Sequence, residues 1–296
     1  MLNGVNVAIF SFSFWGFVAI YWKQLPMIAP FELLGHRIFW GVVTLVVYLF
    51  FTRSFNNLKQ CFSSKKVILS LLATSVLIFI NWFIFVWAVS SGHVLEASIG
   101  YFISPLINVA LGVMILKEKL RPKQRVSVFL ALVGLIFLIS TGVGRPSISL
   151  ILAMTFGLYG LLRKQINVGA LEGLFFEMVV SIVPISFIIS SKFSSINSLG
   201  FFNVDLKEQI LISMAGAVTL IPLISFNYAV QRIKLSTVGI LQYISPILQF
   251  ALAVFVFDEE FSRIHLLSFS FIWIALIIYT FDLLSIGKGK SKNYES

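Results

Sequence analysis

The sequence predicts an all-α integral membrane protein of ten transmembrane helices, arranged as two inverted five-helix repeats with both termini in the cytoplasm. Three observations support this fold class. Hydrophobic residues make up 58% of the 296 residues and charged residues only 11%, so too little polar surface exists to cover a soluble globule. The apolar residues gather in runs of membrane-spanning length. The second half of the chain also repeats the pattern of the first.

Ten apolar runs follow one another along the chain, each close to the length that crosses a hydrocarbon core of about 30 Å as a helix. They cover roughly residues 5–22, 33–51, 67–89, 94–116, 126–143, 146–162, 171–191, 209–230, 235–257 and 264–284. The segments between them are short, and none is long and polar enough to form a soluble domain. Each run is therefore predicted to be one transmembrane helix.

The net charge of +10 is distributed as the positive-inside rule describes. With a cytoplasmic N-terminus, 16 of the 22 Lys and Arg fall in loops or tails on the cytoplasmic side and 5 on the outer side, while Arg37 lies inside a span. This bias predicts that both termini are cytoplasmic. The basic residues are spread over short loops without interleaved aromatic residues, which argues against a nucleic-acid partner.

A shift of 141 residues aligns the two halves of the chain. It carries "YFISPLINVALGV" (101–113) onto "QYISPILQFALAV" (242–254), and Glu118 onto Glu259. We therefore expect one repeat at 1–143, a second at 144–284 and a cytoplasmic tail at 285–296. Because five is an odd number, the second repeat enters the membrane from the opposite side, an architecture associated with alternating-access secondary transporters.

The repeated Ser-Pro places a proline in the middle of two spans. Pro105 and Pro246 each lie 11 residues after the start of their predicted helix, which puts both near the bilayer midplane. Each proline removes one backbone hydrogen bond and so frees the carbonyl of Tyr101 or Gln242. We expect kinked fourth and ninth spans that face each other across a central cavity.

Polar and aromatic side chains around these kinks are the candidate substrate ligands. Ser104 and Asn108 recur at a spacing of four on the fourth span, as Ser245 and Gln249 do on the ninth. The alternative is that small residues at this spacing only permit close helix packing and that serine softens the kink. The full candidate set is Trp15, Tyr101, Ser104, Asn108, Tyr159, Gln242, Tyr243, Ser245 and Gln249.

Charged residues inside spans are costly and are usually paired or cavity-facing. Glu32, His36 and Arg37 lie together in the outer half of the second span, and Glu96 begins the fourth span on the same side. The repeat shift carries His36 onto Glu177, so a histidine and a carboxylate are candidates for proton or charge coupling. Two interpretations of Arg37 remain: it contacts an anion, or it forms a structural pair with Glu96 that fixes helix packing.

The sequence offers no enzyme motif. Walker A, HExxH and GxSxG patterns are absent, and the only cysteine is Cys61, in a loop. No metal site and no cofactor are expected. Without a nucleotide site, uphill transport would have to draw on an ion gradient.

Several segments are similar to one known family. They are "LGHRIFW" (34–40), "NWFIFVWAV" (81–89), "GHVLEASIGYFISPL" (92–106), "GLYGLLRK" (157–164) and "LSTVGILQYISPILQFALAVFVF" (235–257). The chain resembles the RarD subgroup of the EamA family, in the drug/metabolite transporter superfamily, over nearly its whole length. The resemblance implies a permease of the bacterial inner membrane with two EamA repeats, and chloramphenicol resistance as a predicted activity. Ser104 departs from the subgroup pattern "YFINPL", which has asparagine there.

These observations favour a secondary transporter that moves a small organic solute, metabolite or drug, exporting it by alternating access with proton coupling. The expected partners are a small-molecule substrate and the lipid bilayer, and no particular oligomeric state is indicated. Two alternatives stay open. One is a lipid flippase or scramblase, and the other is a non-transporting membrane assembly partner.

Overall fold

The computed structural model describes residues 2–25, 28–140, 145–193, 199–256 and 263–292, and these residues form helices joined by short loops. The first half contains α1 (Leu2–Trp22), α2 (Pro30–Phe51), α3 (Lys65–Ser90), α4 (Val94–Met114) and α5 (Pro122–Ile139). The second half contains α6 (Pro146–Gln165), α7 (Ala170–Lys192), α8 (Leu206–Val230), α9 (Leu235–Gln242), α10 (Ile244–Phe255) and α11 (Arg263–Lys292). Two 3-10 helices, Phe55–Phe62 and Gly200–Asn203, lie in loops.

The prediction of ten spans is confirmed. Within the described ranges, ten segments are long and apolar enough to cross a membrane, and α9 and α10 together supply the ninth. The predicted repeat boundary at 143/144 and Glu259, the expected counterpart of Glu118, lie outside the described residues.

Local sequence explains where several helices begin. Proline occupies the first turn of α2, α5 and α6, where its missing N–H would have had no helical partner. Ser64 accepts a hydrogen bond from the Val67 amide at the start of α3. Asp205 and Glu208 form a reciprocal capping box at the start of α8.

The two motif prolines act differently. Pro105 lies inside α4, which continues through it to Met114. The ninth span instead breaks at Tyr243, whose amide bonds to the Ile240 carbonyl in a 3-10-type turn. Pro246 therefore lies in the first turn of α10, a position that tolerates proline. The expected kink in the ninth span is a break between two helices.

The helices pack in a defined set of pairs. In the interior, α4 packs against α6 and α9, while α1 packs against α8, α9 and α10. Around them α2 contacts α7 and α8, α3 contacts α6 and α7, and α5 pairs with α11. The main apolar core lies among α1, α2, α3, α6, α7, α8 and α9, and a second core joins α4 and α5 to α9, α10 and α11.

We use two names for the ends of this bundle. The basic end carries the loops 52–64, 115–121, 166–169 and 231–234, which contact one another: the Gly169 amide donates to Gln60, and Lys234 donates to the Lys119 carbonyl. The opposite end carries the described loop residues 23–25, 28–29, 91–93 and 199–205.

Two glycines allow helix backbones to meet in the interior. A Cβ on Gly239 of α9 would lie 2.5 Å from the carbonyl oxygen of Pro105 in α4. A Cβ on Gly216 of α8 would collide with the backbone at Trp40 and Gly41 of α2. Neither site has room for a side chain, because the obstructing atoms are backbone atoms and cannot rotate away.

We expect Gly239→Ala to lower the apparent melting temperature of the purified protein by several degrees, since overpacking of this kind costs about 1–3 kcal/mol. Ala110→Val is the matched control: it adds carbon atoms to α4, the partner helix of this contact, but at an exposed position. Thermal unfolding of both variants in detergent checks this expectation. Equal melting temperatures would show that the α4–α9 contact has room for a methyl group.

Candidate functional site

Three candidate ligands from the two proline-containing spans form one buried network between α4 and α9. Asn108 Nδ2 donates to Gln242 Oε1 at 2.7 Å, and Gln242 Nε2 donates to Ser104 Oγ at 3.0 Å. All three side chains are buried. Among the described residues, Asn108 Oδ1 accepts no hydrogen bond. The predicted residues therefore do come together, but in this conformation they bind one another.

The two tyrosines beside these prolines occupy different environments. Tyr243 is buried, and its hydroxyl donates to the Phe102 carbonyl at 3.2 Å, next to the carbonyl of Tyr101 that Pro105 frees. Tyr101 is half-buried, with its ring edge-on to Phe85 at 5.6 Å. The Tyr101 hydroxyl forms no hydrogen bond with the described part of the chain.

Trp15 and Tyr159, two of the candidate ligands, belong to one aromatic cluster. Both rings contact Phe156 and Phe226, at centroid distances of 5.0–6.1 Å within the cluster. Trp15 is half-buried and Tyr159 is completely buried. Aromatic packing of this kind fixes α1, α6 and α8 against one another.

The remaining pair of candidates joins α10 to α1. Gln249 Nε2 donates to the Trp15 carbonyl at 3.1 Å and lies 3.5 Å from Ser245 Oγ. All three residues are half-buried. This polar contact therefore lies at the edge of accessible space, unlike the network around Gln242.

Glu177 is the centre of a second buried network, nearer the basic end. It accepts hydrogen bonds from Thr74 Oγ1 at 2.7 Å and from the Tyr159 hydroxyl at 3.0 Å, and Asn227 Nδ2 donates to the same hydroxyl. Arg163 Nε lies 3.8 Å from Glu177 Oε1, and both side chains are fully buried. Four elements, α3, α6, α7 and α8, thus meet at one carboxylate.

Arg163, Thr74 and Asn227 were not identified from the sequence. Arg163 had been counted as a basic loop residue, yet it lies inside α6 and donates through Nη2 to the carbonyls of Gly169 and Ala170. The available signal was its spacing of four from Tyr159, which places both side chains on one helix face.

At the opposite end, Glu32 and His36 share a face as expected. Glu32 accepts hydrogen bonds from the amides of Gly200 and Phe201, at 2.9 and 2.8 Å. His36 Nε2 lies 3.7 Å from Glu32 Oε1, and its ring packs on Phe201 at 4.6 Å. Glu32 therefore orders the 3-10 helix and also holds the histidine.

The structural pair between Arg37 and Glu96 does not form, and that interpretation was wrong. Glu96 lies 3.4 Å from His93, and its backbone carbonyl accepts a hydrogen bond from Ser149 of α6. Arg37 faces elsewhere: Nε donates to Thr219 Oγ1 at 3.1 Å. Its guanidinium lies over Trp22 at 5.3 Å and over Trp82 at 5.5 Å. Cation–π contacts replace the expected ion pair.

Glu118 closes the basic end between α4 and α9. Its carboxylate accepts hydrogen bonds from the amides of Leu235 and Ser236, at 2.7 and 2.9 Å, and from Ser236 Oγ at 2.7 Å. A carboxylate at the first turn of α9 satisfies free N–H groups and interacts favourably with the helix dipole. Lys164 reinforces this closure by donating to the carbonyls of Val230 and Ile233.

Cys61 is the buried residue of the first 3-10 helix, and its thiol donates to the Glu172 carbonyl of α7. Burial raises the pKa of the Cys61 thiol to about 11, so it stays protonated near neutral pH. Within the described ranges, no group of three or more His, Cys, Asp and Glu is placed to hold a metal ion.

Comparison with known proteins identifies the family. The model of the EamA-like transporter family matches residues 2–140. An uncharacterized transporter of Vibrio cholerae serotype O1 is 38% identical over 285 residues, 96% of this chain and 94% of the relative. The protein RarD of Escherichia coli K12 is 36% identical over 290 residues, 98% of each chain.

The chain belongs to the EamA family.

More distant similarities agree with this membership. A Pseudomonas aeruginosa relative named chloramphenicol-sensitive protein RarD is 26% identical over 270 residues, 88% of each chain. A crystal structure of another protein superposes with a TM-score of 0.75 at 15% identity, covering 94% of this chain and 97% of the other, and so shows the same fold. The EamA relatives are transporters and not enzymes, in agreement with the sequence analysis.

For this EamA-family protein, we expect Arg163→Met to lower the free energy of unfolding by about 3–5 kcal/mol, because it leaves Glu177 buried without its cation. Adding Glu177→Met should recover part of the loss, since the stranded charge is then removed. Unfolding in detergent, measured for both single variants and the double variant, gives the coupling energy.

Arg125→Met is the matched control, because Arg125 is exposed near the same end of the bundle. Surface substitutions of this kind usually change stability by less than about 0.5 kcal/mol. Strictly additive losses, or an Arg163→Met loss no larger than that of Arg125→Met, would contradict the proposed coupling.

Proposed function

We propose that this EamA-family membrane protein is a secondary transporter that moves a small organic solute, a metabolite or drug, out across the bacterial inner membrane by alternating access. The observation that carries the proposal is an uneven burial of the interior. Toward the basic end, α9 and the Glu177–Arg163 pair are buried, whereas four polar or aromatic residues toward the opposite end are half-buried.

The sealed side is built from several independent contacts. All eight residues of α9 are buried, and Glu118 ties its first turn to the end of α4. The Glu177 and Arg163 side chains are fully buried. A solute in the centre would therefore have no path through this end in the described conformation.

The other half of the interior is more open. Trp15, Arg37, Tyr101 and Gln249 are all half-buried, and they come from four different helices around the centre. A conformation closed at one end and accessible from the other is one of the two states that alternating access requires.

Helix packing supports two inverted repeats as the moving units, with bounds at 1–143 and 144–284. Contacts of α1 with α8, α9 and α10 have counterparts in contacts of α6 with α3 and α4. The contact of α2 with α8 likewise matches that of α7 with α3. In this proposal the two units rock around the α4–α9 contact, and residues 285–296 form the tail.

The proposed orientation places the basic end and both termini in the cytoplasm. Lys and Arg side chains populate the loops of that end, which is the bias of cytoplasmic loops in membrane proteins. The described conformation then faces outward. The bacterial relatives are consistent with a location in the inner membrane.

A lipid flippase is the second candidate, because a groove opens on the outer surface of α2 and α8. Polar side chains line it within a largely apolar wall: Thr44, Gln209 and Ser213 lie beside Trp40, Phe201 and Met214. A transporter of soluble solutes does not need such a groove. Scrambling of fluorescent phospholipid in proteoliposomes would favour the flippase.

Alternating access can be tested with two pairs of spin labels on exposed residues in lipid nanodiscs. One pair, Met114 and Arg232, reports on the basic end, and the other, Leu95 and Phe255, on the opposite end. We expect two distance populations for each pair, with the basic end mostly closed. Glu118→Ala should shift the basic-end pair toward longer distances and the other pair toward shorter ones, because the α9 cap is lost.

Glu208→Ala is the control, since it removes a capping carboxylate from α8 without touching the α4–α9 contact. It should leave both distance distributions unchanged. A single distance population in both pairs that Glu118→Ala does not alter would overturn the alternating-access proposal.

Proton coupling is proposed for His36 and Glu177, which the repeat shift relates. In proteoliposomes that contain a pH-sensitive dye, a panel of amino acids, metabolites and amphenicols should drive proton movement that varies between about pH 5 and 8, where histidine titrates. His36→Gln and Glu177→Gln should each flatten this dependence. His93→Gln, which alters a histidine that pairs with Glu96 at the membrane edge, should not. Wild-type pH dependence in both test variants would rule out this role.

A further inference from the structure

Arg37 of α2 is a half-buried cation whose charge is not neutralised by any described carboxylate. Among the described residues, its single hydrogen bond runs from Nε to Thr219 Oγ1. The two terminal nitrogens donate to no described residue, and Arg37 as a whole is half-buried. The guanidinium thus presents a free Nη1–Nη2 edge.

The acidic residues that the structure describes are engaged elsewhere. Glu32 binds the Gly200 and Phe201 amides, Glu96 pairs with His93, and Glu118 caps α9. The others follow the same rule: Glu177 is enclosed with Arg163, Asp205 and Glu208 cap α8, and Asp282 pairs with Arg121. Glu172 lies at the basic end, at the start of α7.

The surroundings of Arg37 hold the guanidinium in place without neutralising it. Trp22 of α1 and Trp82 of α3 lie against it, and Thr219 of α8 fixes Nε. Tyr21 and Tyr101 are within electrostatic range. The Tyr21 hydroxyl is engaged with the Leu211 carbonyl, whereas that of Tyr101 has no partner among the described residues. One hydroxyl donor and one guanidinium edge therefore remain for a ligand.

The related position in the other half shows what completes such a site. The repeat shift of 141 relates Trp22 to Arg163 and His36 to Glu177. In the second half, cation and carboxylate come from α6 and α7 and satisfy each other. In the first half, the equivalent helices α1 and α2 supply a cation and a tryptophan, so the anion has no counterpart there among the described residues.

We propose that the free guanidinium edge of Arg37, flanked by Trp22 and Trp82 and with the Tyr101 hydroxyl nearby, binds the carboxylate of the transported solute. This inference rests on the proposed transport function and assigns its substrate class, a small organic monocarboxylate. A planar guanidinium matches a carboxylate with two parallel hydrogen bonds. The tryptophans and Phe85 give the rest of the solute an apolar and aromatic wall.

Charge balance favours a carboxylate over a phosphate monoester. Arg37 contributes one positive charge, which a monoanion neutralises. A phosphate dianion would leave a net negative charge inside the membrane, where an uncompensated charge is costly. A neutral drug would leave the guanidinium unpaired.

The test uses the full chain in lipid nanodiscs and probe pairs that differ only in the head group. Phenylacetate is compared with phenylacetamide, and N-acetyl-leucinate with N-acetyl-leucinamide, with inorganic phosphate as a third probe. Thermal stabilisation reports binding to the folded state. Tryptophan fluorescence reports it locally, since Trp22 and Trp82 flank the guanidinium. We expect the acids to bind and the amides not to.

Three variants assign the effect to Arg37. Arg37→Gln should raise the dissociation constant of the acids by about tenfold or more, because the charge-assisted hydrogen bonds are lost. Arg37→Lys keeps the charge without the planar pair of donors, so its dissociation constant for the acids should lie between those of the unaltered chain and Arg37→Gln. Arg125→Gln, at an exposed position near the basic end, should match the unaltered chain. The acid–amide comparison needs no variant and stands even if Arg37→Gln does not fold.

Equal binding of acid and amide, unchanged acid binding in Arg37→Gln, or no binding of either acid would each overturn the inference. Tighter binding of phosphate than of both acids would overturn the choice of carboxylate. The transport proposal can fail separately from this inference. If the acids bind in an Arg37-dependent way but each spin-label pair shows one unchanging distance, the transport proposal is overturned and the carboxylate site is retained. If each spin-label pair shows two distance populations but neither acid binds, the carboxylate site is overturned and the transport proposal is retained.

Discussion

The close contact between α4 and α9 is the constraint on which the rest of the interior depends. Gly239 lets the α9 backbone approach the Pro105 carbonyl, and the side chains of Ser104, Asn108 and Gln242 then form hydrogen bonds with one another across the contact. Inside a membrane no bulk water is available to buried polar groups, so loss of these two hydrogen bonds would destabilise the contact. The two helices enter from opposite ends, and their contact couples the two halves of the chain.

Two charged sites lie on either side of that contact and differ in kind. The site near the basic end contains its own cation and carboxylate, with hydrogen bonds from Thr74 and Tyr159. The site toward the opposite end contains a cation among aromatic rings. In the described conformation the self-contained pair holds α6 and α7 together, because separating the two groups while Glu177 is ionised would strand two charges. A cation that no described carboxylate neutralises can bind one anionic partner and release it for another.

Much of the fold could be predicted because membrane-spanning helices leave a strong local signal. Length and apolarity located the ten spans that the described residues form. Contacts between particular side chains were harder to predict. Glu96 and Arg37 both lie toward the opposite end of the bundle, but Glu96 lies on the face of α4 that meets Ser149 of α6. No periodicity within one helix reveals which neighbour it will face.

Arg163 shows a second limit of sequence reasoning. It stands beside Lys164 at the end of α6, where the positive-inside pattern counts both as loop charges. Its burial depends on Gly173 of α7, since a Cβ there would overlap the guanidinium. The space that accepts Arg163 is therefore created by the absence of a side chain ten positions away on another helix. Such a relation belongs to tertiary packing and leaves no mark on the hydrophobic pattern.

The enclosed Cys61 has a practical consequence for anyone who labels this protein. A thiol that is buried and protonated at neutral pH reacts slowly with maleimides and thiosulfonates. The natural sequence is thus already close to a cysteine-free background, and introduced cysteines can be modified selectively without replacing Cys61. Cys61 also touches α7 through the Glu172 carbonyl. Any state in which it becomes reactive is one in which the 52–64 loop has separated from α7, so the native thiol is a built-in reporter of movement at the basic end.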